Sequence, residues 1–257
     1  MKSIIVERSE NGVVTVTLNR PEKKNAIDMP MWEELLSTFN AVARSETDRV
    51  MVLTGAGGAF CGGADLGARD GADWHQLDRM QFYNSIGVAL HEIPKPVVAK
   101  VGGVAVGAGL NLALGCDLIV AGESARFSEI FARRGLSLDL GGSWILPRLV
   151  GLHKAKELAL LADIISADEA ERIGIVNRVV PDDKLDAFVD DWVQRLAAGP
   201  PLALQMTKRM LTAGLQSSFS EALHAEAMAQ TVNASSKDAQ EAMQAFFEKR
   251  EPAFRGR

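Results

Sequence analysis

Val97-Val98-Ala99-Lys100-Val101, then Gly102-Gly103-Val104-Ala105-Val106-Gly107-Ala108-Gly109-Leu110-Asn111, then Leu112-Ala113-Leu114 and, past Gly115-Cys116-Asp117, Leu118-Ile119-Val120-Ala121 is the stretch on which the fold turns. Its first and last runs are short, apolar and rich in β-branched residues, which reads as two buried strands. Between them a glycine-rich turn, Gly102 to Asn111, leads into a short helix from Leu110 to Leu114. Buried strands alternating with helices are the mark of α/β architecture.

The same pattern extends on both sides. Upstream, residues 3–8 and 13–18 are β-branched runs joined by Ser9-Glu10-Asn11-Gly12, and Asn-Gly between such runs predicts a hairpin. Met31, Leu35, Leu36, Phe39 and Val42 recur at helical spacing and predict a helix over 29–43. Val50 to Thr54, closed by Gly55, reads as another buried strand, and a helix follows near 77–90. Downstream, Ser166-Ala167-Asp168-Glu169 reads as a capping box, with Gly174 ending its helix before a strand over 175–180. From Asp183 the pattern is helical only, around 184–197, 201–213, 218–232 and 236–250. This divides the chain into a core of residues 1–195 and a helical region of residues 196–257. Methionines and alanines in that region suit helices that cover the core and a neighbouring subunit.

Composition narrows the functional classes. The chain has 257 residues, 47% of them hydrophobic, enough for one large core. A net charge of −5 with both signs interspersed offers no stripe for a nucleic-acid backbone. No run of eighteen apolar residues suggests a membrane span. Two cysteines, Cys61 and Cys116, are too few for a disulfide framework, and His75, His91, His153 and His224 lack metal-type spacing, so no metal and no cofactor are expected. The opening Met1-Lys2-Ser3-Ile4-Ile5-Val6 is too short an apolar run for a signal peptide, and a cytoplasmic protein is expected.

Two glycine-rich turns follow predicted strands: Gly55 to Asp65, and Gly102 to Asn111. Glycine allows positive φ and close approach of backbone to ligand, and a helix N-terminus presents unpaired N–H groups. Together they suit one developing negative oxygen. Neither turn gives G-x-G-x-x-G, since Gly107-Ala108-Gly109 is followed by Leu110-Asn111-Leu112, and no P-loop occurs, which disfavours a nucleotide-phosphate loop.

Phe60-Cys61-Gly62-Gly63-Ala64-Asp65-Leu66, the Gly102 to Leu112 segment, Gly115-Cys116-Asp117, and Gly141-Gly142 with Pro147-Arg148-Leu149 resemble the crotonase superfamily of enoyl-CoA hydratases and isomerases. The likeness runs from the hairpin to Lys249-Arg250 with Pro252-Ala253-Phe254. It implies an α/β spiral of strand-strand-helix turns whose C-terminal helices pack homotrimers or hexamers. It also implies an acyl-CoA thioester substrate, coenzyme A being part of that substrate. The family's two oxyanion-hole amides correspond to Ala64 and Ala108. The second position is commonly glycine, and a backbone donor survives the change. Each such donor contributes on the order of 3 kcal/mol to the transition state. By the same resemblance Lys23, Lys24 and Ala26 lie where the nucleotide end is cradled, Gly63, Ala64 and Leu66 touch pantetheine or adenine, and Lys249 and Arg250 contribute from a C-terminal helix. Asp65, Gly107, Asn111 and Phe131 complete the expected substrate-binding set, with Asp65 also a candidate to hold its loop.

Family hydratases carry glutamates at the positions of Asn111 and Phe131. Neither side chain here exchanges protons, so ordinary two-glutamate hydration is not expected. Glu129 is two residues from Phe131 but out of register, and reads as a surface or salt-bridged carboxylate. Asp139, in the leucine-rich Gly135 to Trp144 loop, is either the N-cap of a helix starting near Gly141 or a working group. The Asp139 to Arg148 segment resembles the phenylacetate-pathway ring-epoxide isomerases, which use an aspartate here. The expectation is an enoyl-CoA isomerase with Asp139 as its acid and base, its proton affinity raised by apolar neighbours among Leu138, Leu140, Phe131 and Trp144. A hydratase with an altered acid/base set and a non-catalytic acyl-CoA binder are the alternatives. The acyl pocket is expected in residues 68–90 and 129–145.

Overall fold

The structure, a computed structural model, describes residues 2–67 and 74–257; the part of the expected acyl pocket over 68–73 lies outside them. Strands β1 (Ile4–Arg8) and β2 (Val13–Leu18) form the predicted antiparallel hairpin, with Ile4 opposite Leu18 and Gly12 at φ +87° in the turn. Helix α1 (Met29–Arg44) starts on the Asp28 side chain, which accepts the Met31 N–H, and buries Met31, Trp32, Leu35, Phe39 and Val42. Then come β3 (Val50–Gly55), α2 (Gln76–His91), β4 (Val97–Val101), β5 (Val104–Val106), α3 (Ala108–Leu114), β6 (Leu118–Gly122) and β7 (Arg126–Ser128). They are followed by α4 (Gly142–Val150), α5 (Leu152–Leu161), β8 (Ile165–Ser166), α6 (Ala167–Arg172), β9 (Arg178–Val180) and the helices α7 (Leu185–Ala198), α8 (Pro201–Gly214), α9 (Phe219–Ala234) and α10 (Lys237–Glu248).

A six-stranded sheet runs β1-β2-β3-β4-β6-β9, parallel after the hairpin, and a three-stranded sheet runs β5-β7-β8. The chain alternates between them. It passes from β3 to a bridge of Cys61 with Ala105, from β4 to β5, and from β6 to β7, each time with a helix following. That alternation is the expected spiral of strand-strand-helix turns.

Strand periodicity explains the continuous apolar runs. Met51, Leu53, Val97 and Ala99 face the main core with α1 and α2, while Val50, Val52, Val98 and Val120 face Leu185, Val189 and Val193 of α7. Both faces are covered.

Three local readings change. The segment from Gly102 to Asn111 is not one turn: it contains β5, and its helix begins at Ala108 rather than Leu110, because Val104 to Val106 pairs with β7. The predicted 175–180 strand shortens to β9, since the Ile175 and Val176 amides both bond Ala170 O at the end of α6. Of the capping box only one half forms, Glu169 N–H to Ser166 Oγ; the Glu169 carboxylate holds Arg172 instead.

Candidate active site

Backbone geometry brings Ala64 and Ala108 together. Ala64 pairs with Ile27 in a parallel bridge, in which Ile27 N–H donates to Gly63 O (2.8 Å) and Asp65 N–H donates to Ile27 O (2.9 Å). The flanking peptides make those bonds, so the N–H of Ala64 points to the opposite edge. The start of α3 lies against the neighbouring residue: a Cβ built on Gly63, at φ +89°, falls 2.9 Å from Val106 O and 3.7 Å from Ala108 N. Among the described residues no acceptor is bonded to the N–H of Ala64 or of Ala108.

Two glycines make this approach possible. Gly107 takes φ +55° and ψ −130° while its N–H donates to Ser128 O at 2.9 Å. A Cβ on Gly109 would stand 2.4 Å from Cys61 O, so the first turn of α3 is pressed directly onto the loop that carries Ala64.

Asp139 lies at the Asn111 end of this turn. Asn111 is buried, and its Nδ2 donates to Asp139 O (3.0 Å) and reaches Asp139 Oδ1 at 3.5 Å. Burial pushes the Asp139 carboxyl up to about 6, while the Asn111 side chain pulls the other way. Asp139 is not a helix cap: Gly141 holds the N-cap position of α4 in the left-handed region, with no side-chain cap. Phe131 is buried in the 3-10 turn Ile130–Arg134, with its ring 3.8 Å from where a Cβ of Gly107 would sit. Trp144 packs edge-on against His91 and under the Arg148 guanidinium, 4.0 Å from its ring centroid.

Glu129 is neither on the surface nor in a salt bridge. It is 1% exposed, and both its carboxyl oxygens lack a hydrogen-bond partner. Desolvation first, and the charge of Asp139 second, push its carboxyl up to about 8. Among the described residues, the buried side-chain oxygens without a partner are these two and Asn111 Oδ1. Asn111 is the residue that bonds Asp139, and Asp139 is the charge that acts on Glu129.

The expected nucleotide-binding side is organised by residues that the sequence left unnoticed. Asn25, fully buried at φ +56°, donates to Ala56 O (2.9 Å) and Ala59 O (2.8 Å) and accepts the Arg20 N–H (2.9 Å). Arg20 in turn bridges Asp65 (2.9 Å) and Asp28 (3.3 Å). Its hydrogen bond holds the Asp65 carboxyl below the usual carboxylate range, so Asp65 fastens the loop, together with Gly67 N–H. Lys23 and Lys24 are exposed beside it, Lys24 O accepts the Gly62 N–H, Ala26 is half-buried and Leu66 is exposed. Arg250 is held by Glu241 and Glu248, and Lys249 closes α10 in the left-handed region. The signal for the Asn25 hub was a lone Asn-Ala after Pro21, a pattern too common to single out. Cys61 and Cys116 are buried thiols, that of Cys61 pushed by burial to about 12, and both are inert. No cluster of metal-ligating side chains occurs among the described residues.

The sequence pattern of the enoyl-CoA hydratase/isomerase family matches residues 8–257. The chain is 37% identical over 262 residues to 1,2-epoxyphenylacetyl-CoA isomerase of Escherichia coli, covering all of both chains. It is 42% identical over 248 residues to a probable enoyl-CoA hydratase of Rhodobacter capsulatus, covering 96% of this chain and 95% of that one. The crystal structure of an enoyl-CoA hydratase from Bacillus anthracis superposes with a TM-score of 0.94 at 33% identity, covering 99% of this chain and 100% of that one.

Proposed function

The chain belongs to the enoyl-CoA hydratase/isomerase family, and from that premise we propose that it is an acyl-CoA isomerase in which the Ala64 and Ala108 amides hold the thioester oxygen and Asp139 moves the proton. The observation that carries this reading is the proton inventory around α3. Asn111 and Phe131 do not titrate, and Asn111 spends its amide on orienting Asp139, whose proton affinity lies near neutrality. A base poised there takes a proton from the carbon α to a thioester whose developing oxyanion meets two aligned amides. Gly107 and Phe131 line the approach, and the exposed Lys23 and Lys24 suit the phosphates of coenzyme A.

The test offers a 3-enoyl-CoA and crotonyl-CoA to the same enzyme preparation. Shift of the double bond in the first is expected; hydration of the second with no shift of the first overturns the isomerase. Asp139→Asn should lower turnover by roughly 10²- to 10⁴-fold with acyl-CoA affinity retained. Full activity in that variant removes Asp139 from the chemistry. The buried Glu129 favours one second reading, a hydratase in which Glu129 and Asp139 together replace the family's glutamate pair, and the crotonyl-CoA arm decides it.

A further inference from the structure

Glu129 is placed where nothing in a one-carboxylate isomerase requires a carboxyl at all. It lies between Ser128, whose carbonyl accepts the Gly107 N–H, and Ile130, whose Cγ2 is 3.4 Å from where a Cβ of Gly107 would be. Its backbone therefore flanks the residue that opens α3. The side chain is sealed from solvent, its two oxygens have no partner, and the charge it feels is that of Asp139. No cation of the elements around it is bonded to it: Arg133 pairs with Asp163, Lys154 with Glu157 and Arg172 with Glu169, Arg148 lies over Trp144, Arg126 and Arg134 donate to backbone carbonyls, and Lys156 is exposed. A dry carboxylate with no cation and no donor is costly, and a second one beside Asp139 costs more.

We propose that Glu129 is the second proton-carrying group of this active site, a neutral acid that protonates the far end of the enolate while Asp139 removes the α proton. This deepens the isomerase reading and rests on it. The step balances. Asp139 carboxylate takes H⁺ from the α carbon of the 3-enoyl thioester, and the C–H electron pair moves into the dienolate. The dienolate γ carbon then takes H⁺ from the Glu129 carboxyl, so Asp139 ends neutral and Glu129 ends as carboxylate. One proton passing from Asp139 to Glu129, directly or through a water, restores the start. The pair holds a single negative charge throughout. Neutralising Asp139 also removes the repulsion that adds to burial in keeping Glu129 protonated, so Glu129 becomes a stronger acid when the dienolate needs a proton.

The experiment pairs Glu129→Gln with Asp139→Asn on 3-hexenoyl-CoA in D₂O, following α-deuterium exchange and double-bond shift separately. Folding of each variant is checked by thermal unfolding. Glu129→Gln is expected to keep α exchange and lose the shift by on the order of 10²-fold. A shift at the wild-type rate, or loss of exchange and shift together in a folded protein, overturns the assignment. Asp139→Asn that still exchanges overturns the isomerase reading instead, so the two failures are distinct. A substrate-free measurement stands beside it, ¹³C-carboxyl NMR of the labelled protein. Glu129 should remain protonated at pH 7 and titrate lower in Asp139→Asn; ordinary carboxylate titration in the wild type overturns the proposal.

Discussion

At the scale of single residues, Asp139 and Glu129, like Asp117, hold their protons more tightly because they are buried. Burial raises both, to about 6 and about 8, whereas Asp65 is lowered by Arg20. For catalysis the consequence is a rate that needs Asp139 ionised: kcat/KM should fall as pH drops through about 6, and a profile flat to pH 4.5 would exclude a base with this environment. For stability the sign is opposite to that of a salt-bridged acid. A carboxyl whose folded-state proton affinity is raised binds more protons when folded, so its contribution is full below the ordinary carboxylate range and is lost as pH rises through the shifted value. Wild-type protein should thus lose stability between about pH 4.5 and about pH 8, and Glu129→Gln should escape most of that loss. At pH 8.5 the variant should be the more stable by on the order of 2 to 4 kcal/mol in denaturant unfolding. Equal stability at that pH would mean that Glu129 is hydrated in solution. A more stable variant would mark a site held at the expense of stability.

Among the elements, α3 and the loop from Gly55 to Asp65 are decisive, because the proposed amide pair needs Gly109 packed against Cys61 O. Gly109→Ala places a methyl 2.4 Å from that carbonyl. The helix must then move away, at a cost of about 1 to 3 kcal/mol of stability, and the Ala108 N–H moves with it. Turnover should drop by roughly 10²-fold with coenzyme A affinity little changed; a Gly109→Ala enzyme of wild-type kcat would break the link between this contact and the amide pair. The extent to which this was legible in sequence follows from range. The strands β3, β4 and β6 were readable because burial on both faces leaves unbroken apolar runs, and the hairpin because Asn11-Gly12 acts locally. Strands β5 and β7 were not, since each has only three residues and they pair with one another and with β8 across long sequence separations, which no local pattern encodes. Resemblance alone put Ala64 and Ala108 forward as amide donors, and the burial of Glu129 was not readable at all, because a carboxylate with no partner looks in sequence like any solvated one. The bond of Asn111 to Asp139, 28 positions away, needed the fold.

For the whole molecule, the question is what covers the C-terminal helices. Helix α7 is anchored in the sheet, but α8 buries none of its residues, α9 buries Ala229 alone and α10 buries Asp238 and Ala245. Lys208 ties α8 to the core through Asp117 (2.7 Å) and Lys95 O (3.1 Å), and Asp238 binds the tail amides of Arg255 and Gly256. These polar ties leave apolar side chains outside: Phe219 is 79% exposed, Phe246 76% and Phe247 74%, with Leu211, Leu215 and Met228 also exposed. So many large apolar groups on one helical layer favour burial against another surface, and a second copy of the chain supplies a matching one. The prediction is self-association through this layer. Light scattering should return an integral multiple of the chain mass, and thermal stability should rise with protein concentration. Replacing Phe246 and Phe247 together by Glu puts two charges into the contact and should yield a smaller species of lower thermal stability. The Asp238 tail contacts and the Lys208–Asp117 pair, which lie within one chain, should keep that species folded. A wild-type protein that stays monomeric at every concentration, or a double variant that assembles like it, would show that these phenylalanines face solvent in the working enzyme.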